Sequence, residues 1–160
     1  MDPGLSAYLF LLATTPVFNW FTLALIMYLT GWPIETPKYV KDLLEMPPAT
    51  ALLVALVRSV EEELLFRVVL FGMMTDFLTS LGLPPEPTTL AMLLVSSALF
   101  AASHYAWGRV KVMQTFVMGC WFALIYLGYG PGGSALAHAF NNLVPLVGEV
   151  LGKRARRLFV

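Results

Sequence analysis

The chain has 160 residues, 58% of them hydrophobic and 12% charged, with ten Lys and Arg against ten Asp and Glu. An ordinary soluble domain is about 25% charged, so half that charge on so apolar a sequence is a membrane protein's composition. The net charge of +0 argues against a nucleic-acid partner, and one Cys with two His excludes an intrachain disulfide and a zinc finger.

Met1-Asp2-Pro3-Gly4 supplies no basic n-region, and no small-residue cleavage site closes the apolar stretch behind it, so residues 6–30 read as a retained span. Ala7 to Leu29 is apolar enough, and long enough against the roughly 20 residues a bilayer requires, to cross as a helix. Pro16 and Asn19 are expected to kink it or face the bundle, and Gly31-Trp32-Pro33 to end it at the interface. Ile34 to Pro48, with Lys38, Lys41, Asp42 and Glu45 beside Leu43 and Leu44, reads as an interfacial loop with one short amphipathic turn.

The second span, Ala49 to Met74 or beyond, holds Arg58, Glu61, Glu62, Glu63 and Arg67 near its middle. On an insertion scale each charge costs roughly 2.5 to 3.5 kcal/mol near the bilayer centre, whereas a Leu, Val or Phe returns about 0.3 to 0.6. This helix cannot face lipid all round. In a soluble protein the segment would be a surface helix with Arg58–Glu62 and Glu63–Arg67 pairs; inside a membrane, ionisable residues are functional candidates.

Asp76, Gly82 and Pro84-Pro85-Glu86-Pro87 then break the chain. The third run, Thr88 to His104, is rich in Ser and Ala, which let membrane helices approach closely. Tyr105, Trp107, Gly108, Arg109 and Lys111 mark an interface, and Val112 to Leu127 is a fourth run. Gly128-Tyr129-Gly130-Pro131-Gly132-Gly133 predicts a turn before a last span, Ser134 to about Leu151, interrupted by Pro145 and closed by Lys153-Arg154-Ala155-Arg156-Arg157. The expected fold is all-α: one domain over residues 1–160, a polytopic membrane bundle of five helices. Eight of the ten Lys and Arg residues fall in the first loop, the third loop and the C-terminal tail, which five crossings place on one side. The positive-inside rule then puts the N-terminus outside and the C-terminus in the cytoplasm, at the plasma (inner) membrane if the source is prokaryotic.

The polar residues left inside spans are Arg58, Glu61, Glu62, Glu63, Arg67, His104, His138, Asn141 and Asn142. At about 100° per residue Glu62 and Glu63 point to different sectors, so they do not share one job. Glu63 lies on the face of Arg67, which leaves Glu62 freer to act, and Arg58 can pair with Glu61 or Glu62. Phe100 shares a face with His104, and His138 with Asn142.

Glu62-Glu63-Leu64-Leu65-Phe66-Arg67 matches EExxxR, Phe100 to His104 matches FxxxH, and His138 to Asn142 matches HxxxN. In this order, on three membrane helices, the chain resembles the CPBP (CAAX protease and bacteriocin-processing, or Abi) intramembrane proteases, over roughly half its length. The resemblance implies a peptidase acting on a peptide or membrane-protein substrate. In that reading Glu62 is the general base activating water, His104 binds or polarises the water, His138 and Asn142 stabilise the oxyanion, and Glu63 and Arg67 form a supporting pair with Phe100 alongside. No Ser, Thr or Cys nucleophile is needed, and Cys120 reads as packing. Zinc held by Glu62, His104 and His138 is the alternative to the favoured metal-free mechanism.

Members of that family carry more membrane helices than the five this chain affords, which leaves substrate entry open and makes a homo-oligomer an expectation beside the lipid bilayer. Depth is the second departure. His104 lies a few residues from Arg109, whereas Glu62 is more than ten residues from Pro48. A kinked or long third helix, or a water-filled vestibule, is needed to bring them together. A catalytically silent scaffold or partner-binding protein is the runner-up. A proton-coupled transporter is third, against which stand the single polar cluster and the lack of broken helices repeated in two halves.

Overall fold

The computed structural model describes residues 3–34 and 38–158, with the side chains of Pro3, Tyr39 and residues 150–158 outside the description. The side chains of Lys153, Arg154, Arg156 and Arg157 therefore lie outside the described ones. The elements are α1 (Pro3–Thr30), α2 (Lys38–Glu45), α3 (Pro48–Glu63), a π-helical segment (Leu64–Met73), α4 (Met74–Ser80), α5 (Pro85–Ser103), a 3-10 turn (Tyr105–Trp107) and α6 (Arg109–Leu158). Among the described residues there is no strand, and the fold is the expected all-α bundle.

Several boundaries differ from expectation. Pro145, expected to interrupt the last span, lies inside α6 without ending it, whereas Pro16 lies buried inside α1, facing the bundle as expected. The glycine-rich turn contracts to one residue, Gly130, whose φ of 70° and ψ of −174° interrupt α6 before Pro131 starts a new helical arm. Sixteen residues of straight helix would separate Phe122 from His138 by about 24 Å. Their rings instead stack with centroids 4.6 Å apart, so α6 is a helical hairpin whose two arms, 109–129 and 131–158, lie against each other.

The first arm runs antiparallel to α1: Asn19 meets Gln114, Thr15 meets Trp121 and Tyr8 meets Tyr129. The second arm runs antiparallel to α3, with Ser59 against Asn142, Glu63 against His138, and Ala55 and Ala51 beside Leu146. Helix α5 fills the remaining side. Its Ser97 lies so close to Gly119 that a Cβ there would sit 3.0 Å from the serine Cβ, the kind of close approach small residues allow between membrane helices.

Burial is inverted relative to a soluble protein. Arg67, Gln114, Thr15, Ser59, Ser96, Ser97 and Ser134 are among the largest fully buried side chains, while Phe10, Val17, Phe21, Leu29, Leu53 and Leu90 face outward. Apolar side chains outside and polar ones inside is the arrangement a lipid solvent favours. Among the described residues three helices are long and apolar enough to cross a membrane: Gly4–Thr30, Pro85–Ser103 and Arg109–Glu149. The expected five passages survive with a correction. Passages four and five are the two arms of one helix, and the segment carrying the glutamates, continuous from Pro48 to Ser80, is too charged to meet that criterion.

Candidate active site

Three stripes set four residues apart build the site. Ser59 and Glu63 share one face of α3, continued by Arg67 on the first turn of the π segment, and Ser134, His138 and Asn142 share one face of the second arm. Glu63 is buried among all of them. Its Oε1 accepts from His138 Nδ1 at 3.0 Å, its Oε2 accepts from the Ser134 hydroxyl, and Arg67 Nε lies 3.7 Å from Oε2. Arg67 is wholly buried and makes no hydrogen bond to the described residues; Glu63 and the Phe100 ring, 4.9 Å from its Cζ, hold it by charge and cation–π attraction.

Glu62, the preceding residue, has a different surrounding. Its side chain keeps 23% of its surface and faces a cavity of about 350 Å³, with Oε2 3.6 Å from His138 Nε2. His138 thus stands between the two carboxylates, one ring nitrogen on each, and stacks on Phe122. Because an ionised carboxylate only accepts, the Glu63 contact fixes the proton on Nδ1 and turns Nε2 to the cavity.

His104 occupies the end of α5, past the last residue of that span, and its ring meets Phe100 edge-on. Its Nδ1 lies 2.9 Å from the Phe100 carbonyl. A carbonyl cannot donate, so the neutral ring carries its proton on Nδ1 and presents the Nε2 lone pair. Burial lowers the basicity of His104 below the ordinary histidine value, more than the Phe100 carbonyl and nearby Glu62 raise it. Phe100 is the hinge of the arrangement: it touches Arg67, His104 and His138 and is itself buried.

Asn142 also lines the cavity, but its Nδ2 donates to Ser59 Oγ at 3.0 Å, and Ser59 in turn donates to the Ala55 carbonyl. Asn141 Nδ2 reaches Asn142 Oδ1 at 3.4 Å. Arg58 pairs with Glu61 at 3.7 Å on an exposed surface, which decides between its two candidate partners. Cys120 packs half-buried against the cluster of Phe71, Leu93 and Ala123.

The depth mismatch has a structural answer. Fourteen residues, about 21 Å of helix, separate Pro48 from Glu62, and α3 and the second arm both run on past the end of α5. Helix α2 lies across them there, Leu43 packing on Ala51, Ala55 and Leu146. Glu62, His104, His138 and Asn142 therefore share one vestibule, walled by Leu23 of α1 and by Val40, Leu43 and Leu44 of α2.

Sequence reasoning missed Ser59 and Ser134. Both were legible as the residues four before Glu63 and His138, one on each facing stripe. Glu62, His104 and His138, the set offered to zinc, do not gather with enough His, Cys, Asp or Glu donors to hold a metal ion among the described residues.

A family model described as type II CAAX prenyl endopeptidase Rce1-like matches residues 45–144, more than half of the chain and the whole of the three motifs. No curated relative and no solved structure matches the chain.

Proposed function

From the chain's membership of the Rce1-like family, a family of type II CAAX prenyl endopeptidases, we propose that it is an intramembrane endopeptidase with Glu62 as the general base and a single catalytic domain made of the whole bundle. The observation that carries this reading is the split between adjacent glutamates. Glu63 is neutralised and immobilised by His138, Ser134 and Arg67, while Glu62 is turned into a cavity shared with His104 and His138.

The neutral tautomer of His104 and the carboxylate of Glu62 are both acceptors, a suitable pair for the two hydrogens of one water. Glu62 removes a proton as the water oxygen bonds to the scissile carbonyl carbon, and the carbonyl oxygen becomes an oxyanion. Asn142 Nδ2, which keeps one N–H beyond that given to Ser59, and His138, when Nε2 also carries a proton, are the donors for it. Such donors are worth about 3 to 4 kcal/mol in an enclosed site. Collapse breaks the C–N bond, and Glu62 returns its proton to the leaving amine. Glu63 and Arg67 hold His138 in place, and each step uses only side chains of this chain.

The substrate is a peptide or a membrane-protein segment that enters the vestibule from the side where α2 lies. That side is cytoplasmic if the basic loops face the cytoplasm of a prokaryotic inner membrane. Purified protein is incubated with a mixed peptide and membrane-protein pool, wild type beside Glu62→Gln, with and without chelator. Cleavage by the wild type alone, insensitive to chelator, is the expected result. Equal cleavage by both removes Glu62 from the mechanism, sensitivity to chelator brings in a metal, and no cleavage by either returns the chain to the scaffold reading.

A further inference from the structure

One pair of charges stands on the outer surface of the bundle, at a depth where lipid would meet it. Arg58 Nη1 lies 3.7 Å from Glu61 Oε2, and each side chain keeps 59% of its surface. A relay of contacts fixes their level. Glu63 bonds to His138, whose ring stacks on Phe122, and the neighbouring Trp121 donates to Thr15 near the middle of α1. Two to five residues of helix separate Glu61 and Arg58 from Glu63, so the pair lies about 3 to 8 Å from the mid-level of the long apolar α1. Arg58 reaches the edge of the vestibule, whereas Glu61 is not among the residues that line it. Val57, Arg58, Glu61, Leu64 and Leu65 share one helical face, and all five are exposed. The apolar members suit a lipid solvent. A carboxylate and a guanidinium at this depth do not, and they are costly there unless protein covers them.

We propose that this face is a homodimer interface, on which Arg58 of each chain pairs with Glu61 of the partner subunit. Charge complementarity commits the face to a second copy, because a patch with one cation and one anion is complementary to itself. Identical chains insert with the same orientation, so a two-fold axis between them stands along the membrane normal and sets the two glutamate-bearing helices parallel, like levels together. Arg58 and Glu61 are three residues apart, about 4.5 Å along the axis, a distance that a long arginine side chain spans. The two-fold axis makes that contact twice, giving four alternating charges around it. Val57, Leu64 and Leu65 of each chain surround the charges and exclude lipid from them. Arg58 also lines the vestibule, so Glu61 of the partner subunit fixes one edge of the cavity.

The test mixes charge reversals. Full-length chains fused to a donor or an acceptor fluorophore are reconstituted in vesicles of neutral phospholipid, and energy transfer is followed against the protein-to-lipid ratio. The wild type is expected to give transfer that saturates as the ratio rises and that unlabelled wild type competes away. Arg58→Glu alone, or Glu61→Arg alone, sets like charges across the interface and is expected to weaken self-association about tenfold or more. An equimolar mixture of the two variants, one with two anions on the face and the other with two cations, restores the transfer. The pair within each chain is still broken in that mixture, so the recovery belongs to the contact between chains, and it also shows that both variants are folded. Wild-type transfer no greater than chance proximity at every ratio overturns the proposal and leaves the face to a different membrane protein. Transfer that both reversals leave unchanged puts the contact on another face and likewise overturns it. Loss in each variant without recovery in the mixture assigns the two charges to the fold of a single chain, which overturns it too.

Discussion

The two arms of α6 each pair antiparallel with a neighbouring helix, and the two seams have opposite chemistry. Along α1 the first arm packs Tyr129 on Tyr8 and Trp121 on Phe18, and Trp121 Nε1 donates a hydrogen bond to Thr15 Oγ1. Along α3 the second arm presents Ser134, His138 and Asn142 to Glu63 and Ser59. Aromatic packing holds the first seam at modest cost. The second is costly to bury and is tolerated only because each charge meets a partner. Where the first seam also turns polar, at Asn19, Gln114 and Lys111, it has reached the level of the vestibule. Both seams therefore deliver polar side chains to one cavity, Asn19, Gln114 and Lys111 from the first and His138 and Asn142 from the second.

The sharpest way to break this contrast is within the glutamate pair. Glu62→Gln is expected to lower kcat about 10²- to 10⁴-fold, the range for loss of a general base, while changing thermal stability in detergent by less than about 0.5 kcal/mol. The same change at Glu63 should cost stability as well as activity. Arg67→Met removes the buried cation and leaves Glu63 only its hydrogen bonds from His138 and Ser134, an expected loss of about 3 to 5 kcal/mol by equilibrium unfolding in mixed micelles. A melting point equal to wild type would mean that the pair is not what holds the second seam.

Ser134→Ala withdraws one donor from a buried carboxylate and is expected to destabilise by about 1.5 to 3 kcal/mol. Trp121→Phe, on the aromatic seam, removes one neutral hydrogen bond and should cost about 0.5 to 1.5 kcal/mol with cleavage unchanged. If Trp121→Phe abolished cleavage and Ser134→Ala did not, the assignment of the two seams would be reversed.

The smallest effect is in pH dependence. Burial places His104 below the ordinary value of 6.5, so as pH falls through that value the unfolded chain takes the proton first. Stability is expected to decline as pH falls from there to the folded value. His104→Gln should remove that slope, measured as melting temperature against pH for the two proteins.

Much of this could be read from residue order. The charge-poor composition, the polar punctuation between apolar runs and the three ordered motifs gave the class, the family resemblance and the residues that meet in the cavity. The Glu63–Arg67 pair and the Phe100–His104 contact were visible because four residues bring side chains to one face of a helix. The π-helical register of Leu64–Met73 was not. Nothing in that apolar run demands it, and it arises where the helix packs on α5 and where Gly72 lets the backbone close on the Tyr126 hydroxyl.

What the sequence determined by itself is a lipid-soluble helical chain with a few ionisable groups it cannot expose, because apolar length and charge cost are local quantities. Tertiary structure decided which partner each group received. Periodicity fixes a side chain's direction about its own helix axis and says nothing about the neighbour that will stand there. The fold-back at Gly130 brings Ser134 and His138 to Glu63, more than seventy residues earlier in the chain, and makes one of two consecutive glutamates a buried support and the other the wall of a cavity.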